Sequence, residues 1–250
     1  MWRAPSAAGC LLLLAACGGE PRAADPDGQS CERFPERPGE ATYYAADGSG
    51  NCSFPVVTGG PPLVAALSDD DYDGARACGA CVFVRGPEGE ALVRVVDRCP
   101  GCEEGHIDLS QEAFERIAPL EAGRVDVTWQ QVACETDAPL RLRFRDGTNP
   151  WWAAVQVDHH RHAIASLSYR QSSGAAQGIA QNLASAADFT ELERALHNDF
   201  VAEDGLGEAP VDFRVRDVHD HEIVIESVQP GDGVEIEAEA QFPQCAHAPE

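Results

Sequence analysis

Positive charge is what this chain has least of: 18 Lys and Arg stand against 42 Asp and Glu in 250 residues, a net charge of −24 at neutral pH. Such a chain repels nucleic acid and other polyanions, and it opposes acidic wall polymers such as pectins and teichoic acids. Neutral ligands remain. The charge also serves solubility, whatever the function. Long apolar runs are missing too. The stretch from Leu11 to Ala16 is far too short to span a bilayer, and no low-complexity array follows, so the rest reads as a soluble globular protein. Asp69-Asp70-Asp71-Tyr72-Asp73-Gly74 lacks the glutamate spacing of a calcium loop and reads as a turn. Cys99-Pro100-Gly101-Cys102 lacks the surrounding βαβ pattern of a redox motif and reads as a hairpin clamp.

What is present begins with an address. Arg3, the apolar run and Leu14-Ala15-Ala16-Cys17 form a signal peptide over residues 1–16 ending in a lipobox, where the Cys17 thiol is acylated after cleavage. Gly18-Gly19 carries no acidic residue, which favours an outer-membrane or cell-surface lipoprotein; cleavage without lipid leaves a secreted protein. Residues 17–38, rich in Gly, Pro, Asp and Arg, read as a tether. Without Cys10 and Cys17, eight of the ten cysteines remain, an even number that in an exported protein argues for disulfides. Cys78-x-x-Cys81 with Cys99-x-x-Cys102 has zinc-compatible spacing but belongs to an oxidising compartment. His160 with His162, and His219 with His221, could share strand faces. Exposed strand histidines ordinarily only solvate a sheet, and no metal or cofactor is expected.

Short runs rich in Val, Tyr and Phe, separated by Gly, Pro and Asp turns, predict strands over 41–44, 62–67, 78–85, 91–97 and 125–132. One helix interrupts them, with Ser110 as N-cap, Phe114 and Ile117 as its apolar stripe, and Pro119 and Gly123 as its stop. This is a small β-barrel. From Ala138 onward, strands are predicted over 140–145, 151–157, 163–169, 211–218, 223–228 and 234–242, a β-sandwich pattern. Residues 177–200, more helical in composition, read as an inserted connection.

The order GEATYYAADGSGNCSFP, CGACVFV, VVDRCPGC, HIDLSQEAF, VTWQQVAC, GTNPWWAAVQV and QFP resembles bacterial and fungal expansins along nearly the whole chain after the signal. The resemblance implies an all-β protein. A six-stranded double-psi β-barrel with a short helix (residues 39–136), of the type shared with family 45 glycoside hydrolases and rare lipoprotein A, is followed by an immunoglobulin-like β-sandwich (138–245) similar to a family 63 carbohydrate-binding module. It assigns Asp108 as the essential acid, with Asp97 and Thr42 beside it. Two nearby carboxylates raise one pKa, so a protonated Asp108 could donate to a glycan oxygen. Trp151 and Trp152 match a platform that stacks on sugar faces, with Tyr44 and His197 as further substrate contacts; the family's third platform aromatic is not reproduced near Leu196-His197-Asn198. Adjacent strand residues point to opposite faces, so both tryptophans are exposed only at a bulge or strand start. A related hydrolase would carry its base four residues after Thr42. Ala46 stands there, and Asp47 reads as a turn residue. Candidate bridges are Cys31–Cys245, Cys52–Cys78, Cys81–Cys134 and Cys99–Cys102, the connectivity being left open.

The expected function is binding of a neutral wall glucan such as cellulose or xyloglucan, with loosening of noncovalent contacts and no net hydrolysis. The alternatives are a weak endoglucanase or peptidoglycan lytic transglycosylase using Asp108 as acid, and a noncatalytic adhesin. A monomer is expected, touching a membrane only through its lipid.

Overall fold

The computed structural model describes residue 31 and residues 34–56, 63–172 and 189–244. In the first half, strand alternation selects the inward side chains: Val82 and Val84, then Ala91, Val93 and Val95, are buried while the residues between them are not. The strands are β1 (Arg37–Tyr44), β2 (Val64–Ser68), β3 (Cys81–Arg85), β4 (Glu90–Cys99), β5 (Ile107–Ser110) and β6 (Val125–Val132). They close into a barrel in the order β1-β5-β2-β4-β3-β6, which leaves no open edge to pair with another chain. β1 with β5 and β2 with β4 run parallel; the other neighbours are antiparallel. Phe114, Ile107, Leu109 and Ile117 fill the interior, each fully buried and each contributing about 1.5–3 kcal/mol relative to exposure.

The acidic run forms a helical turn, α1 (Asp69–Tyr72), because the Ser68 hydroxyl accepts from the Asp71 amide. Ser110 caps α2 (Gln111–Phe114) in the same way, accepting from Ala113 N at 3.3 Å. The regular helix is one turn long; the chain continues in hydrogen-bonded turns, with Ile117 N and Ala118 N both donating to Phe114 O, and a 3₁₀ turn (Leu120–Ala122) ends at Gly123 with φ +65°.

The second half contributes β7 (Arg141–Phe144), β8 (Ala153–Asp158), β9 (Ile164–Gln171), β10 (Thr190–Glu191), β11 (Glu193–Arg194), β12 (Phe200–Ala202), β13 (Val211–Asp217), β14 (Glu222–Val228) and β15 (Glu235–Glu237). One antiparallel sheet has the order β10-β9-β13-β14, the other β11-β12-β8-β7-β15. Phe144 and Phe213 meet edge to face between them, ring centroids 5.9 Å apart. From residue 189 the supposedly helical connection is strand, because Phe200 is buried and pairs opposite Val155; residues 177–188 lie outside the described residues.

β8 departs from alternation altogether: all six of its residues are buried. One face meets the sandwich core. The other, with Ala154, Gln156 and Asp158, lies under the barrel, where Gln156 Nε2 donates to Cys52 O at 2.8 Å and Arg94 meets Asp158 at 3.0 Å. Arg143 and Arg145 both donate to Ser53 O, and Arg194 to Ala75 O. Barrel and sandwich are thus joined by a seam of hydrogen bonds to backbone carbonyls.

Candidate functional site

The β1–β5 register sets Thr42 opposite Asp108. A carboxylate only accepts, so the Thr42 hydroxyl donates to Asp108 Oδ1 at 2.6 Å, and its oxygen then accepts from His106 Nε2 at 2.8 Å. His106 is buried, its Nδ1 4.0 Å from Glu40. Sequence reasoning passed over it, although the period of two sets residues 106 and 108 on one side of the strand.

Asp97 belongs to the same face at one remove. Ala66 of β2 pairs with Asp108 on one side and with Asp97 on the other, so the two aspartate backbones stand about 9–10 Å apart across a strand whose central side chain is a methyl group. Among the described residues no hydrogen bond joins the two carboxylates. Asp97 Oδ1 instead accepts from the backbone amides of Asn51 and Arg98 at 2.7 and 2.8 Å. Tyr44, two residues after Thr42, sits among these carboxylates. Burial, then the charges of Asp97, Asp108 and Asp47, push its phenol far above its ordinary range, which keeps it a neutral donor. Its hydroxyl is enclosed with no hydrogen-bond partner among the described residues. Ala46 is half-buried, while exposed Asp47 accepts from the Ser49 hydroxyl and amide, which lowers its pKa and ties it into a turn.

The tryptophans precede β8 instead of lying in it. Asn149 and Trp152 pair as a bridge and Trp151 N donates to Asn149 Oδ1, so the turn, not the pleat, orients the rings. Trp151 is 74 % exposed and Trp152 half-buried. Gly205, at φ +74°, backs this turn: a Cβ there would lie 2.1 Å from Pro150 O. His197 occupies the β11–β12 turn of the same sheet, exposed, 3.2 Å from Asp199, which Arg145 holds in turn. Next to it Leu196 is 47 % exposed, and its carbonyl accepts from both Asn51 Nδ2 and Tyr72 OH at 2.8 Å. Asn51 therefore touches both units, its amide on Asp97 and its side chain on the sandwich loop.

Of the remaining candidates, Cys17 and Cys245 lie outside the described residues. Disulfides join Cys52 to Cys78, Cys81 to Cys134 and Cys99 to Cys102, which occupies every sulfur of the zinc-compatible pair of CxxC motifs. His160 and His162 are not exposed strand residues: each is 3 % exposed in the turn after β8, with His160 packed against Phe54 at the seam. Burial lowers their pKa values to about 3 and about 4.

A closed six-stranded barrel with two parallel pairs, carrying a threonine–aspartate contact and joined to a β-sandwich, defines a double-psi β-barrel protein with an appended β unit. Residues 64–129 match the family described as lytic transglycolase. Expansin-like protein 2 of Dictyostelium discoideum is 29 % identical over 195 residues, covering 74 % of this chain and 45 % of that one. Expansin-YoaJ of Bacillus subtilis (strain 168) is 26 % identical over 184 residues, covering 72 % and 73 %. The chain thus spans about half the length of the first of these relatives and about three quarters of the second. Structures of the Clavibacter michiganensis expansin superpose with TM-scores of 0.71 for the apo form and 0.72 for a mutant in complex with cellohexaose, at 26 % identity, covering 84 % of this chain and 99 % of that one. The chain belongs to the expansin-like double-psi β-barrel proteins.

Proposed function

We propose that the protein binds a neutral wall β-glucan along the barrel groove and the tryptophan turn, and loosens noncovalent contacts between glycans without net hydrolysis. The observation that carries this is the Thr42–Asp108 hydrogen bond beside a neutral Tyr44, with Ala46 where an inverting hydrolase needs its base. The Asp108 carboxylate offers a glycan hydroxyl an acceptor that Thr42 orients, and Asp97 spends one oxygen on the backbone amides of Asn51 and Arg98. Asp47 is turned to Ser49. The cellohexaose complex of the Clavibacter expansin supports a cellulose-like ligand, and the acidic charge disfavours an anionic one. Trp151 and Trp152 stack on sugar faces, with His197 and Leu196 in place of a third aromatic. The protein acts as a monomer outside the cell, which the disulfides fit, and acylated Cys17 holds it at the surface.

The match to the family described as lytic transglycolase favours one rival, cleavage with Asp108 as acid. Soluble product decides between them. Wild type and Asp108→Asn are incubated with cellulose, xylan, mixed-linkage glucan and peptidoglycan; no released sugar or muropeptide is expected from either. Sustained release that Asp108→Asn abolishes would establish the enzyme.

A further inference from the structure

The second histidine cluster lies away from the groove, where the turn after β8, the β13–β14 turn and the two ends of the described chain converge. Asp217, fully buried, accepts from the backbone amides of His219 and His221 and from His221 Nδ1, the last at 2.8 Å. That contact fixes the tautomer. His221 carries its proton on Nδ1, and its Nε2, 9 % exposed as a residue, has no hydrogen-bond partner among the described residues. His162 is fixed in the opposite sense: its Nε2 lies 2.9 Å from Pro243 O, and a carbonyl only accepts, so Nε2 donates and Nδ1 is the unprotonated nitrogen. Cys31 stands beside both. One ligand atom from each of Cys31, His162 and His221 lies within 4.8 Å of the others.

We propose that Cys31, His162 and His221 form a redox-gated site for a borderline divalent cation, zinc in the first place. A carboxylate that orients an imidazole through its other nitrogen is the support that metal-bound histidines ordinarily have, and Asp217 supplies it here. Closing the atoms onto a tetrahedral ion requires ligand separations of about 3.5 Å, a contraction of about 1 Å at most from the 4.8 Å within which they lie. The gate is the sulfur. Cys31 is disulfide-bonded in this structure, and a disulfide sulfur is a poor ligand. A dithiol reductant transfers two electrons and two protons to the disulfide and is itself oxidised. The freed Cys31 thiol gives its proton to solvent as the thiolate binds the ion. The fourth position is open to water. Disulfide and metal are therefore alternative cross-links at one place, the first suited to an oxidising exterior, the second to the chain before oxidation or after reduction.

Co(II) and zinc on the full-length exported chain, oxidised and dithiol-reduced, test this. The reduced protein should show thiolate-to-cobalt charge-transfer absorption and intense tetrahedral d–d bands that one equivalent of zinc displaces; the oxidised protein should show neither. His221→Gln and His162→Gln should each weaken zinc at least 100-fold in competition with a chromophoric chelator. Cys31→Ser should lose the charge-transfer band under the same conditions, with circular dichroism matching reduced wild type. Cys99→Ser with Cys102→Ser should keep the band, which excludes the reduced CxxC hairpin as its source. A band that survives His221→Gln, or equal binding by oxidised protein, would overturn the site.

Discussion

Barrel and sandwich are both built of short antiparallel-rich strands, yet they hold their polar residues by different means. In the barrel, strand register does it: Thr42, Asp108, Ala66 and Asp97 are rung partners across three strand pairs, so none can move without breaking a ladder. In the sandwich, turns do it: Trp151 sits in a bridge-closed turn backed by Gly205, and His197 in a hairpin turn. The Thr42–Asp108–Asp97 face is consequently stiff, and the tryptophan turn can vary residue by residue without disturbing the sheet behind it. Loss of the third aromatic from the Leu196–Asn198 turn fits that freedom.

The largest test of the contrast is a core deletion in each unit. Phe114→Ala in the barrel and Phe213→Ala in the sandwich should each cost about 3–5 kcal/mol. Because the seam ties Cys52 and Ser53 to Gln156, Arg143 and Arg145, both variants should still unfold in urea as one transition. Two separated transitions would show that the units are independent.

Acid probes the seam and the neighbouring turn with a smaller effect. His160 and His162 titrate near pH 6.5 in an unfolded chain but near 3 and 4 when folded, so between those values the unfolded state binds more protons. Stability is therefore full above about pH 6.5 and falls as the pH drops toward 4, by up to ~1.4 kcal/mol per pH unit for each ring. Asp158 adds nothing to this window, because Arg94 and the His159 amide outweigh burial and hold it charged well below it. Urea midpoints at pH 7 and pH 5 measure the loss; equal midpoints would mean the two rings are solvated.

Gly205→Ala sharpens the difference between ladder and turn. A methyl group at φ +74°, pressed on Pro150 O, should cost about 1–3 kcal/mol and displace the Trp151 turn. Sedimentation with insoluble glucan should weaken while the groove, held by its register, keeps its geometry. Undiminished binding would remove the turn as the support of the platform.

What could be read from the sequence divides along the same line. Barrel strands and the Ser110 cap were legible from local pattern, whereas the Thr42–Asp108 neighbourhood, 66 residues apart in sequence, came only through the family resemblance. Features made by long-range contact were not legible. The burial of both faces of β8 comes in part from a barrel loop 104 residues away, through Gln156 and Cys52. The same covering turns His160 from a supposed surface residue into a seam residue. Asp97 and Asp108 were expected side by side, but nothing local reveals that β2 runs between them. His106 escaped notice because its value depends on a Thr42 hydroxyl 64 residues distant.

The central claim is that groove and platform act together on one rigid body, gripping a glycan at one end while displacing its neighbour at the other. Asp108→Asn, nearly isosteric and remote from the platform, separates the two roles when set beside Trp151→Ala with Trp152→Ala. Creep of filter paper or wall strips under load is measured together with binding to the same material. Asp108→Asn should abolish creep and leave binding nearly unchanged, whereas the tryptophan pair should lower both, with binding down roughly tenfold for about 1–2 kcal/mol of lost stacking. Creep that survives Asp108→Asn would contradict the groove mechanism, and wild type that binds without any creep would leave only an adhesin.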